Sequence, residues 1–313
     1  MTLLIRKEGI FSSIQGLGNY GVQRFGINPG GAMDRSALRI LNVILGNPDA
    51  SQAIEMHFPA GEIVFESAQR FALGGADLSA QIDGSPITNW QVNEAAAGQT
   101  LQFRKRTFGN RCYLAVEGGI SDYSRDGTLL ENSFETRRLR TSDRLGLGES
   151  SDVFLIGRIA VSPRLLPEYS NRPIVRILAG AEFEQLSSIS RAHFLNEEFA
   201  LTVDSNRMGF RLTGPALDII QPTEMVSSAV TFGTIQLPPD GSLIVLMADH
   251  QTSGGYPRIG AVVTADLPLL SQLGPGDRVR FQLVTIDAAE RMAAAFEHDL
   301  KMLRAGVRFH RSK

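Results

Sequence analysis

Gly233-Thr234-Ile235-Gln236-Leu237-Pro238-Pro239-Asp240-Gly241, followed by Ile244-Val245-Leu246-Met247, reads as a β-hairpin. Proline presets φ and Asp-Gly tolerates the left-handed region, so Pro238-Pro239-Asp240-Gly241 is a turn by its chemistry. The apolar run after it is a buried strand. The far end of that strand releases a polar cluster, Ala248-Asp249-His250-Gln251-Thr252-Ser253-Gly254-Gly255-Tyr256-Pro257. Gly254 and Gly255 let a ligand come close to backbone N–H donors, which suit a carbonyl or carboxylate. Gln251, Thr252 and Tyr256 add neutral hydrogen-bonding groups. The same residues read equally as a structural turn with solvated side chains.

Outward from this hairpin the chain keeps the same character. Short apolar or alternating runs predict strands at 62–66, 100–104, 112–116, 153–156, 174–178 and 278–284, each bounded by turn signals. Regular strand–helix alternation is absent, which disfavours a doubly wound parallel sheet. Helices are few. Asp34 caps one that runs from Ser36 to Leu45 and stops at Gly46. A second covers Leu267–Leu273, and Asp287 caps an amphipathic tail from Ala288 to Leu303 that ends before Gly306. The segment 162–173 carries three prolines between strand-like runs and reads as an extended linker. The expected organisation is therefore a lobe over 1–165, a second over 172–286 and a helical tail over 287–313.

Composition narrows the function. With 313 residues, 43% hydrophobic and 20% charged, the chain has enough apolar surface to fold, and its length suits two domains. A net charge of −2 gives no electrostatic footprint for nucleic acid or an anionic membrane. The single cysteine, Cys112, excludes an internal disulfide framework and a cysteine-rich metal site, and its strand-like context suits the core. No apolar run approaches the ~20 residues of a membrane span. Met1–Lys7 is charged too early for a signal peptide, so a soluble, cytoplasmic protein is expected.

Other candidates have two readings each. Arg207, at the end of the turn Asp204-Ser205-Asn206, can bind a carboxylate bidentately or form a surface ion pair with Asp204 or Glu224. Gly16, Gly18 and Gly21 make a loose G-x-G-x-x-G, but no βαβ unit surrounds it and no helix follows directly. Gly30-Gly31, before the capped helix, offers either an anion site or a tight turn leading into the helix. Glu55 is either a solvated turn residue or a buried carboxylate. His57, His193, His250, His298 and His310 lack metal-ligand spacing, and no Walker A or nucleophile-elbow motif is present.

The run Asn206-Arg207-Met208-Gly209-Phe210-Arg211-Leu212-Thr213-Gly214-Pro215, the hairpin, the Gln-Thr-x-Gly-Gly-Tyr-Pro sequence at 251–257, Ala265-Asp266-Leu267 and Gly274-Pro275-Gly276-Asp277 follow one another in a specific order. Together with Gly30-Gly31-Ala32-Met33-Asp34, Leu45-Gly46-Asn47-Pro48 and Glu55, this order resembles the allophanate hydrolase subunit 2 family over residues 9–285. That family includes the C-type subunits of 5-oxoprolinases, Kip-type antikinases and part of the carboxyltransferase region of urea carboxylases. The resemblance departs at Gln15-Gly16-Leu17-Gly18-Asn19, where the family usually reads Gln-Asp-x-Gly-Arg, at Leu129-Leu130-Glu131-Asn132, and at Gly180-Ala181 in place of Gly-Pro.

The resemblance implies a mainly β chain with a few helices, folded as two cyclophilin-like β-barrel lobes. It implies one component of an ATP-dependent, 5-oxoprolinase-type hydrolase that opens the cyclic amide 5-oxo-L-proline to L-glutamate. Its partners would be a subunit 1 homologue (the KipI-like, B-type component of 5-oxoprolinase) and a lactamase-type partner, the A-type component. Arg207, Asp249 and Tyr256 are then the catalytic candidates, with Gln236, Gln251, Thr252, Gly254, Gly255 and Gly31 on the substrate. Lacking a P-loop, the chain would leave ATP to a partner interface. Two alternatives stay open. One is a non-catalytic, antikinase-like binding role, supported by the uncharged Gly16 and Asn19. The other is half of a biotin-dependent urea or amide carboxyltransferase, whose carrier lysine this chain does not supply, since Lys301-Met302 falls on the tail helix.

Overall fold

The hairpin forms: Thr234–Gln236 pairs antiparallel with Leu243–Leu246, Ile235 opposite Val245. The computed structural model describes residues 1–125, 128–129, 137–149, 158–220 and 225–311, so the strand expected at 153–156 lies outside the described residues. Contacts divide the chain into two compact units. One comprises Met1–Leu17, Asp34–Pro167 and Glu297–Lys313; the other comprises Gly18–Met33 and Glu168–Phe296.

In the second unit the hairpin belongs to a closed barrel. Its strand order is Ile174–Ala179, Arg258–Val262, Thr234–Gln236, Leu243–Leu246, Gly209–Thr213, Phe199–Leu201 and Arg278–Leu283. The ring closes through the one parallel pairing among its strands, Ile174 opposite Arg280 to Ile177 opposite Leu283. Period-two alternation fills it: Val175, Ile177, Phe210, Leu212, Ile235, Val245, Val279 and Phe281 are buried together. Consequently Thr234 and Gln236, flanking Ile235, lie on the opposite face of their strand from that core. A separate two-stranded sheet, Ser228–Ala229 with Ser253–Gly254, carries the polar cluster that follows the hairpin.

The first unit builds its core differently. Its described strands form an eight-stranded and a six-stranded sheet. Leu3, Ile5, Ile63, Phe65, Leu101 and Leu145 from one meet Ile54, Met56, Phe71, Leu73, Cys112 and Leu114 from the other in one cluster. The eight-stranded sheet ends on Ser85–Pro86, where a proline without an N–H suits an edge.

Four α-helices occur among the described residues: α1 Arg35–Leu45, α2 Ser188–Asn196, α3 Leu267–Ser271 and α4 Ile286–Arg311. α1 has the expected ends. Asp34 Oδ1 accepts from Ala37 N at 2.8 Å, and Gly46 takes the left-handed conformation at φ 74°. α2 was not foreseen, because only Ser190 and Phe194 are buried and its sequence shows little periodicity. Its signals are the Ser187 cap, accepting from Ser190 N at 3.1 Å, and Phe194, whose ring lies 5.1 Å from that of Phe281. α4 runs through Gly306 instead of stopping before it. A mid-helix glycine costs about 1 kcal/mol, and burying Val307 in the next position outweighs that. Within 162–173 there is one short 3₁₀ turn, Pro163–Leu165. Among the described residues no helix is long and apolar enough to cross a membrane.

Candidate functional site

Arg207 and Asp249 are 42 residues apart and meet in the second unit. The turn before Arg207 is held locally: Asn206 Oδ1 accepts from Met208 N at 2.8 Å, and Ser205 Oγ accepts from Arg211 N at 3.0 Å. The backbone then extends the ladder between Gly209–Thr213 and Leu243–Leu246, with Met247 N donating to Met208 O at 3.1 Å and Asp249 N to Arg207 O at 2.8 Å. With both backbones so aligned, Arg207 Nε and Nη2 donate to Asp249 Oδ2 and Oδ1, each at 2.8 Å. This is the two-toothed geometry that suits guanidinium and carboxylate.

The segment Asn28–Gly31 sits on the same pair. Arg207 Nη2 also donates to the Gly31 carbonyl at 2.6 Å, and Asn28 Nδ2 donates to the Asp249 carbonyl at 3.2 Å. Gly31 has φ 88°, a conformation that glycine adopts without strain. Gly18, at φ 97°, faces the carbonyls of Pro29 and Gly30 so closely that a side chain there would collide with both. Thus Gly18 and Gly31 shape one loop.

These contacts alter the reading of Arg207. The fork that the sequence offers to an external anion already holds an internal one, and its partner is Asp249 where the sequence suggested Asp204 or Glu224. Glu224 lies outside the described residues. At 8% exposure the guanidinium is buried, while the Asp249 side chain retains 23%. A buried pair of this kind positions the two loops that carry it.

The loop beyond Asp249 holds the remaining candidates. Gln251, Gly255 and Tyr256 are exposed, Thr252 is half-buried, and Gly254 is buried. Thr252 O accepts from Val230 N at 3.3 Å, which joins the loop to the segment before the hairpin. Gln236 lies beneath it, 1% exposed, with its amide nitrogen against the α-carbon of Gly254. Two groupings result: Arg207, Asp249 and Gly31 in one hydrogen-bonded unit, and Gln236 with Gly254 in another. Sequence reasoning missed Asn28, for which the turn composition Asn-Pro-Gly-Gly was visible and the pairing with residue 249 was not.

In the first unit Glu55 is the buried carboxylate of the two readings, on the strand Ala53–His57. Its Oε2 accepts from the Tyr113 hydroxyl at 2.7 Å, and that hydroxyl oxygen accepts from Asp34 N at 2.8 Å. Burial, together with the nearby Glu55 and Asp34 carboxylates, pushes the Tyr113 phenol well above its ordinary value. Cys112 is buried and its thiol is likewise pushed up by burial, so it belongs to the core. Among the described residues no group of three or more His, Cys, Asp or Glu could hold a metal ion.

A β protein of two compact units, one a closed barrel with an arginine–aspartate pair joining two of its loops, defines the class. Residues 25–283 match the family described as carboxyltransferase domain, subdomain A and B, and the chain belongs to that family. It is 34% identical over 299 residues to the C subunit of 5-oxoprolinase from Haemophilus influenzae, covering 94% of both chains. To the C subunit of 5-oxoprolinase from Escherichia coli it is 34% identical over 294 residues, covering 92% of this chain and 93% of that one. In fold it is similar to the Kluyveromyces lactis urea carboxylase, with a TM-score of 0.87 at 22% identity. That match covers 98% of this chain and 29% of the larger one.

Proposed function

We propose that the chain is the C-type component of a 5-oxoprolinase, acting with partner proteins to open the ring amide of 5-oxo-L-proline to L-glutamate at the expense of ATP. The observation that carries this reading is the 34% identity to the C subunit of the Haemophilus influenzae 5-oxoprolinase across 94% of both chains. Partners corresponding to the B-type and A-type components belong to the same proposal, as does a cytoplasmic location.

Ring opening needs an amide oxygen polarised and a proton delivered to the leaving nitrogen. In this reading the Arg207–Asp249 pair holds the 250–257 loop in place. The N–H groups around Gly254 and Gly255 polarise the substrate, Gln251 and Thr252 orient it, and the exposed Tyr256 hydroxyl handles the proton. ATP does not fit the glycine-rich stretch: Gly18 faces two carbonyl oxygens, and Asn19 N already donates to Pro29 O at 2.6 Å. Carbonyl oxygens repel phosphate, so the nucleotide is assigned to a partner protein and no step here is routed through it.

The family name favours a second reading, a carboxyltransferase component. It would need biotin from elsewhere, since Lys301-Met302 lies inside the continuous helix α4. Co-expression with candidate B-type and A-type partners and an ATP-dependent glutamate assay tests the first reading. Tyr256→Phe is expected to lower turnover with an unchanged melting temperature. A purified complex that makes no glutamate would overturn the assignment.

A further inference from the structure

We infer that Gln236 is a specificity-determining donor that reads the amide carbonyl of a ligand held under the Gly254 loop. This deepens the function proposed above and rests on its assignment of that loop to substrate. The Gln236 amide nitrogen is fully buried and has no hydrogen-bond partner among the described residues. Native proteins rarely leave a buried donor unmet, because its lost hydration is not repaid; such a group points to a partner that arrives from outside. Here the nitrogen abuts the α-carbon of Gly254, at a point where any β-carbon would collide with it. Glycine at 254 is therefore what lets the loop backbone lie directly on the donor.

What covers the pair is slight. Ser228–Ala229 and Ser253–Gly254 are strands of two residues each, in a sheet separate from the barrel. Separating so short a pairing costs little compared with opening the barrel. Charge then selects the ligand class. The donor is neutral, and the Arg207 guanidinium is already paired with Asp249. A carboxylate would lose its hydration there against a neutral amide, whereas an uncharged carbonyl oxygen desolvates at much lower cost. Lactams and ureas share that group, and the experiment separates them.

The full-length chain, alone and in complex with its partner proteins, is titrated with 5-oxo-L-proline, with urea and with L-proline, which lacks the ring carbonyl. The variants are Gln236→Leu, which removes the donor at similar volume, and Gly254→Ala. Gln236→Leu is expected to keep or raise the melting temperature, because a buried unmet donor disappears. It should weaken binding of the carbonyl probe, and raise its KM in the complex, by about tenfold or more. Discrimination against L-proline should shrink to the same degree. Gly254→Ala should weaken the same probe, with Gln236→Ala in that background restoring the melting temperature and not the binding. Dependence on 5-oxo-L-proline identifies the lactam source and dependence on urea the urea source. If Gln236 governs binding while the complex makes no glutamate, the functional assignment fails and this inference stands. A raised melting temperature with binding unchanged within about twofold, or no binding of either carbonyl probe to the wild-type protein, overturns it.

Discussion

Two arginine–carboxylate assemblies in this chain differ in burial and in what they do. In the barrel unit, Arg207 and Asp249 form a bidentate pair reinforced by a backbone hydrogen bond and by the Gly31 carbonyl. In the first unit, Arg39 bridges Asp49 and Glu297, and Arg304 adds a second bond to Asp49, tying α4 to α1 and the loop after it. The Glu297 side chain is 49% exposed, against 8% for Arg207. The buried assembly fixes geometry and is strongly destabilised when broken. The other, half-buried at Arg39 and Asp49 and exposed at Glu297, fastens a helix, is weaker, and answers to salt and acid.

The largest effect is expected at the buried pair. Asp249→Ala leaves the Arg207 guanidinium without its carboxylate, which should cost about 3 kcal/mol in urea unfolding. Arg207→Lys should keep only part of the pair's contribution, because an ammonium cannot form both bonds. Stability as well as turnover must therefore be measured for either variant. If Asp249→Ala unfolds at the wild-type midpoint, the contrast between the two assemblies disappears.

Arg39→Ala should cost about 0.5–1 kcal/mol, and the loss should shrink in high salt. Its partners also set a pH dependence. Arg39 holds Glu297 below the ordinary carboxylate value. Burial pushes Asp49 up, and hydrogen bonds from Arg304 and Arg39 more than reverse that, leaving it lowered. Lowered folded-state values stabilise the fold above the unfolded values and lose that contribution as pH falls through the folded ones. Melting curves should therefore show this contribution fading below about pH 4 in the wild type and reduced in Arg39→Ala, where Arg304 still holds Asp49. The smallest effect is a gain: Gly306→Ala, in open space within α4, should add about 0.5–1 kcal/mol without touching either assembly.

Local chemistry made much of this legible. The Pro-Pro-Asp-Gly turn, the Asp34 cap and the Gly46 stop each follow from one residue's backbone preference, and the structure has all three. The partner of Arg207 could not be read, because it lies 42 residues away and depends on how the barrel closes. Gly31 is more remote still, at 176 residues. Helix α2 escaped notice since Phe194 is its one fully buried apolar side chain, and α4 outran its expected end because Val307 is buried beyond a glycine. The Glu55 carboxylate was recognisable as a candidate, but its burial is a property of the sheet around it.

The parallel closure of the barrel bears on how this unit can be rearranged. Leu283 lies beside Ile177, about 10 Å along the strand from Ile174. A circular permutant that joins the last strand to the first cannot use a tight hairpin turn. It needs a right-handed crossover of about a dozen residues or more. Permutants with short joints should fail to close the ring, and those with long ones should fold.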